Sequence, residues 1–177
     1  MVIEMIKKEK DTPLYDEEIL KLIIDFLDEI GLKIIENELS DDCFLPGLYP
    51  KGNGIILDRN RLKYPGDLLH EAGHVAVTEK HLRPLIGTNE MTEKWPRHGD
   101  ELGAILWSYA AVCYLNIPAN VVFHPDGYKN DSEWLIEQFE NGNYIGLSLL
   151  VWMGLCNNKS NDEHNNATFP NMLKWLR

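Results

Sequence analysis

A chain of 177 residues with 28 acidic and 17 basic side chains, formally −11 at neutral pH, has the length of one domain that can bury roughly two-thirds of its unfolded surface. That charge excludes a phosphate-binding surface, which needs clustered Lys and Arg, so nucleic acid is not an expected ligand. The first ten residues break their apolar stretch with charge, excluding a signal-peptide core, and the longest apolar runs, 103–115 and 144–156, are shorter than the roughly 20 residues that cross a bilayer. Cys43, Cys113 and Cys156 are widely spaced with no Cys-x-x-Cys pair, as reduced thiols are. Together these features predict a cytoplasmic protein without a membrane partner.

Taken in chain order, Thr12-Pro13 offers a cap and a first-position proline for an opening helix. Ile19, Ile23, Phe26, Leu27 and Ile30 share one face of it, and Gly31 can end it. A strand follows over residues 32–35. Gly52-Asn53-Gly54 is a turn signal, so residues 44–48 and 55–58 are expected to pair as an antiparallel hairpin, with Pro46 keeping the first strand at an edge. A free edge there would let an extended peptide add as a further strand.

Tyr64-Pro65-Gly66-Asp67 reads as a turn into a helix over residues 68–80, with Leu68, Leu69, Ala72, Val75 and Ala76 as its apolar face. Residues 83–89 and 95–99 form a long irregular connection with the character of a lid or binding loop. A second apolar helix opens near Gly99 and runs to about Leu115. Beyond Pro118, the aromatic residues Trp134, Phe139, Tyr144, Trp152, Phe169 and Trp175 are spread over two or three short helices that close a core. Asp131 or Ser132 caps the first of these, Gly142 lies past its end, and residues 157–166 read as an Asn/Asp-rich loop. The expected class is α+β, mainly helical with a small antiparallel sheet. It is read as one domain over 1–177, with a core over about 12–116 and a C-terminal helical layer over about 118–177.

His70-Glu71-Ala72-Gly73-His74 carries the chemistry. Helical spacing puts the two histidines on one face, where each can offer a ring nitrogen to Zn²⁺ at about 2.0–2.1 Å. Glu71, one residue round, reaches toward a bound water and can act as general base. A catalytic zinc takes three protein ligands and leaves a fourth position open, so a third donor is required. His81 lies seven residues past His74, about 10 Å along a continuous helix, and reads as a surface or cleft residue. Glu101, in the first turn of the second helix, is the better candidate by reach and register, with Asp100 its adjacent competitor. The small residues Ala72 and Gly73 on one helix, and Gly103 and Ala104 on the other, would let the two backbones approach closely. His98, Tyr109 and His124 are candidate donors to a developing oxyanion, and spacing does not choose among them. Cys43 is a further thiol that could in principle block a zinc.

The helix ending near Gly31, the strands at 32–35 and 55–58, the run Leu68-Leu69-His70-Glu71-Ala72-Gly73-His74 and the later Glu101-Leu102-Gly103-Ala104 together resemble the ImmA/IrrE-type metallopeptidases of the gluzincin group. The resemblance covers about residues 16–115. It implies a zincin-like fold, His70, His74 and Glu101 as zinc ligands, Glu71 as general base and a peptide or protein substrate. Ile105 stands where that family commonly carries asparagine, and no helix-turn-helix module is apparent, so a repressor-cleaving role is not carried over. The expected function is that of a zinc-dependent peptidase. The alternatives are a catalytically silent zinc-binding regulatory or partner-binding module, and a zinc amidohydrolase that does not act on peptides.

Overall fold

A computed structural model describes residues 15–40, 43, 45–91, 95–157 and 168–177. These residues form an α+β arrangement of five α-helices and one three-stranded sheet. The first helix, α1 (Glu17–Glu29), is capped by Asp16, whose carboxylate accepts from the N–H groups of Glu18 and Ile19. Thr12 and Pro13 lie outside the described residues; the observed cap is Asp16. Leu20, Ile23, Phe26 and Leu27 form the buried face, and Gly31 ends the helix region at φ +92°.

The sheet is built from β1 (Lys33–Glu36), β2 (Leu48–Lys51) and β3 (Gly54–Leu57), in the order β1-β3-β2. The expected hairpin exists, with β2 antiparallel to β3 around Gly52-Asn53. The sheet as a whole is mixed, however, because β1 runs parallel to β3. The reason is that the long connection after β1 carries the chain to the far edge before it turns back, leaving β3 in the centre with its other side free for β1. Gly54 permits this contact: a Cβ there would lie 2.1 Å from the Lys33 carbonyl oxygen. The edge strand spans 48–51 rather than 44–48, so the proline within it is Pro50, not Pro46, and Phe44 lies outside the described residues. Pro50 has no N–H and that of Leu48 is used by Leu45 O, which leaves β2 poorly equipped to accept an added strand.

Helix α2 (Pro65–Val77) starts three residues earlier than the sequence suggests, with Pro65 in the first helical position, and stops at Thr78, whose backbone is extended. Gly66 is therefore a helical residue and not part of a turn. Its role is close approach, since a Cβ would lie 2.0 Å from Val121 O. Helix α3 (His98–Leu115) packs across α2, and Asn116 ends it at φ +52°. At the crossing, a Cβ on Gly73 would sit 2.9 Å from Ala104 O, and one on Gly103 would sit 3.4 Å from Val77 Cγ1, so the small residues do bring the backbones together.

Two short helices follow, α4 (Ser132–Glu140) and α5 (Leu147–Trp152). The apolar run 144–156 carries only six helical residues because Gly146 and Gly154 take φ +91° and +69° at its two ends. Phe139, Tyr144 and Phe169 pack around Tyr109, and Trp175 reaches back to Phe26 and Trp107, closing the core as expected. Trp134 and Trp152 do not join them and remain exposed. Residues 158–166 of the expected loop lie outside the described residues. The three cysteines are free, and among the described residues no helix is long and apolar enough to cross a membrane.

The Gly66–Val121 contact generates a prediction. Gly66→Ala must displace backbone and is expected to destabilise the fold by about 1–3 kcal/mol, despite alanine's better helix propensity. Gly99→Ala, where a Cβ meets nothing within 4 Å, is expected to be neutral or slightly stabilising. Urea unfolding midpoints check both; equal midpoints for the two variants would contradict the packing argument.

Candidate metal centre

Helix α2 puts His70 and His74 on one face, one turn apart, and turns both imidazoles so that their Nε2 atoms lie 3.1 Å from each other. The first turn of α3 delivers Glu101 to the same point: its carboxylate oxygens lie 3.2 Å from His74 Nε2 and 3.5 Å from His70 Nε2. All three donor atoms fall within 4.8 Å of one another. A tetrahedral ion with contacts of about 2.0–2.1 Å separates its donors by about 3.3 Å, and the three spacings bracket that value. Two imidazoles and one carboxylate are also the borderline donor set that suits zinc. The residues present thus fit a metal ion.

Asp100 and Glu101, neighbours in the chain, have different tasks. Asp100 Oδ2 accepts the Arg97 backbone N–H at 3.0 Å and so closes the start of α3. Glu101 turns to the histidines. Its side chain is half exposed, and the His74 hydrogen bond holds its carboxyl below the usual carboxylate range. Burial, reinforced by the neighbouring His74, pushes His70 well below the ordinary imidazole value, so its ring is neutral, the form that ligates metal. Glu71 has the opposite environment from Glu101. Burial pushes its carboxyl up to about 7, with Asp67 and Glu101 adding to the rise against His74.

These groups line one wall of a cleft of about 840 Å³. The facing wall is largely apolar, from Leu45, Leu48, Tyr49 and Pro50 on one side and Trp95 and Pro96 on the other. Trp95 is held by its indole N–H, which donates to Thr78 Oγ1 at 2.9 Å, so part of the irregular connection between α2 and α3 does border the site. His81 is exposed beyond the end of α2, 3.5 Å from Glu79, and takes no part. Cys43 is not among the residues lining the cleft.

The three expected oxyanion donors separate. Tyr109 is buried among Phe139, Tyr144 and Phe169, away from the cleft. His98 opens α3, but its side chain lies outside what is described. His124 reaches the cleft, but its Nε2 is engaged by Asp67 Oδ1 at 2.8 Å and its ring stacks on Tyr64 at 3.7 Å. Asp67 itself is pushed above the usual carboxylate value by burial.

The residue missed by sequence reasoning is Tyr128. Its hydroxyl lies 3.2 Å from His70 Nδ1, its ring stands edge-on to the imidazole, and it lines the cleft. Tyr128, Lys129 and Asn130 all have positive φ, at 53°, 53° and 72°, a conformation that costs of order 1–3 kcal/mol for each residue that is not glycine. The run Pro125-Asp126-Gly127 just before it is a turn signal in the sequence, but nothing in it ties Tyr128 to His70.

Neither family models, curated proteins nor solved structures match this chain, so the assignment stands on the geometry. Protein purified without added metal and then loaded with zinc is expected to hold about one ion per chain, and His74→Ala and Glu101→Ala are each expected to lose it or weaken it severely. Asp100→Asn should load normally. Metal analysis after dialysis checks all four proteins, and an Asp100→Asn defect matching that of Glu101→Ala would reverse the assignment of the two carboxylates.

Proposed function

We propose that this protein is a zinc-dependent peptidase, a zincin-like hydrolase of the gluzincin kind. His70, His74 and Glu101 hold the ion, Glu71 handles the proton, and a peptide or protein is the substrate. The carrying observation is that three ligating atoms gather within 4.8 Å on the wall of a cleft that also exposes the Glu71 carboxylate. The resemblance of the two metal-helix motifs to the ImmA/IrrE-type metallopeptidases supports the same reading.

Zinc at this site would supply Lewis acidity, polarising the scissile carbonyl and lowering the pKa of water from about 15.7 to about 7. Glu71 takes a proton from the attacking water at a carboxylate oxygen and returns it to the amine nitrogen as the C–N bond breaks. Burial pushes its carboxyl up to about 7, and a cation held beside it would lower it toward the carboxylate form that takes the proton. Asp67, one turn earlier on α2, is tied to His124 and keeps a second acidic group on the same wall. The apolar side of the cleft, from Leu48 to Trp95, excludes water and receives the side chains that flank the scissile bond.

Glu71→Gln tests the reading. The amide keeps the shape of the side chain but cannot take the proton, so hydrolysis of a quenched fluorogenic peptide library is expected to fall by about 10²–10⁴-fold while zinc content stays at the wild-type level. Undiminished cleavage by the variant would sink the proposed role of Glu71. Cleavage of small amides with peptides untouched would assign the site to amidohydrolase chemistry instead.

A further inference from the structure

Tyr128 stands in a stretch of backbone that local sequence preference does not favour. Three successive residues without the freedom of glycine are held at positive φ. The bracing is specific: Ser132 Oγ donates to His124 O at 2.6 Å, Gly127 N donates to the same oxygen at 3.0 Å, and Asp131 N donates to Tyr128 O at 2.9 Å. The Tyr128 ring packs against buried Phe123 at 5.2 Å. The outcome of this arrangement is one contact, between the Tyr128 hydroxyl and Nδ1 of His70.

The direction of that bond follows from His70's other nitrogen. Nε2 faces His74 and Glu101 at the ligand cluster, and a neutral imidazole that offers its Nε2 lone pair carries its proton on Nδ1. Nδ1–H then donates and the phenol oxygen accepts. The phenol's own proton is left over, and among the described residues no other partner receives it. Tyr128 lines the cleft, and burial pushes its phenol above the ordinary value, so the oxygen that accepts from Nδ1–H is a neutral hydroxyl. The other ligand has no such support, since His74 Nδ1 is buried without a hydrogen-bond partner among the described residues.

We propose that Tyr128 is a positioning residue for the metal centre: its phenol oxygen accepts from Nδ1–H and holds the His70 ring in its metal-binding orientation. This rests on His70 ligating metal and not on the cleavage of peptides.

Tyr128→Phe removes the hydroxyl and keeps the ring. Zinc affinity, read by competition with a chromogenic chelator, is expected to weaken by about 10–100-fold, with the unfolding midpoint of the metal-free protein unchanged. In the zinc-loaded wild type, the His70 Nδ1–H is expected as a downfield, slowly exchanging resonance in nitrogen-edited NMR, and to vanish in the variant. Equal zinc affinities and an unchanged Nδ1–H resonance overturn the hold on His70, as does a loss of affinity matched by a loss of metal-free stability. A wild type that loads zinc but cleaves no peptide overturns the peptidase reading alone, while zinc affinity and the Nδ1–H resonance still decide the hold on His70.

Discussion

The close crossing of α2 and α3 at Gly73 and Ala104 is the constraint on which the rest depends. A side chain larger than hydrogen at Gly73 would meet the Ala104 backbone at 2.9 Å, so the helices cross closely, and Glu101, three residues before Ala104, arrives beside histidines that belong to a different helix. An extra ångström of separation would exceed the tolerance of a three-donor site, whose contacts are set to within about 0.2 Å. The apolar interior does the holding. Leu68, Leu69, Val75 and Ala76 on α2 and Leu106, Trp107 and Ala110 on α3 are buried, and the polar cluster sits at the rim of that contact, open to the cleft.

The same placement gives two carboxylates of one cleft opposite environments, by the rule that burial favours the neutral form and a hydrogen-bonded partner the charged one. Glu101 is half exposed and bonded to His74, so it stays ionised as a ligand must. Glu71 is partly enclosed in the cleft wall with Asp67 and Glu101 as acidic neighbours, and burial pushes its carboxyl up to about 7. The formal charge of −11 contributes little to this division, which is local.

How much of this was legible in the sequence depended on whether the responsible residues were neighbours in the chain. The α1 face, the 51–54 turn, the pairing of His70 with His74 and the small residues at the helix crossing all rest on local spacing, and local spacing announced them. The choice of Glu101 over Asp100 was legible through reach and register, and the structure adds what sequence could not show, that Asp100 is occupied with the Arg97 backbone. The parallel pairing of β1 with β3 was not legible, because it depends on the path of the long connection between β1 and β2. Gly66 was misread as a turn because its partner, Val121, is 55 positions away. Tyr128 went unnoticed for the same reason: its partner His70 is 58 residues away, and left-handed Tyr and Lys contradict the preferences by which turns are read.

That distance dependence says something about how the metal helix is kept in place. The last carbonyls of α2 have no intrahelical partner, and they point into the protein, where water cannot satisfy them. Arg177 does so from 100 residues away: its backbone N–H donates to Ala76 O at 3.0 Å and its guanidinium to Val77 O at 3.3 Å, while the same guanidinium meets Glu79 and lies over the Trp152 ring. Buried Arg83 in turn donates to Arg177 O at 2.8 Å. Two positive charges thus gather where the helix dipole is negative, which is favourable by about 0.3–1 kcal/mol each at exposed sites. At its other end, α2 is gripped through Gly66 by residues 119–121, the segment that leads into His124 and Tyr128. Both ends of the helix that carries His70, Glu71 and His74 are therefore fixed by chain that follows α3. The residues beyond Leu115 thus have two tasks: they close the core with Phe123, Phe139 and Phe169, and they clamp both ends of the helix that carries the candidate site.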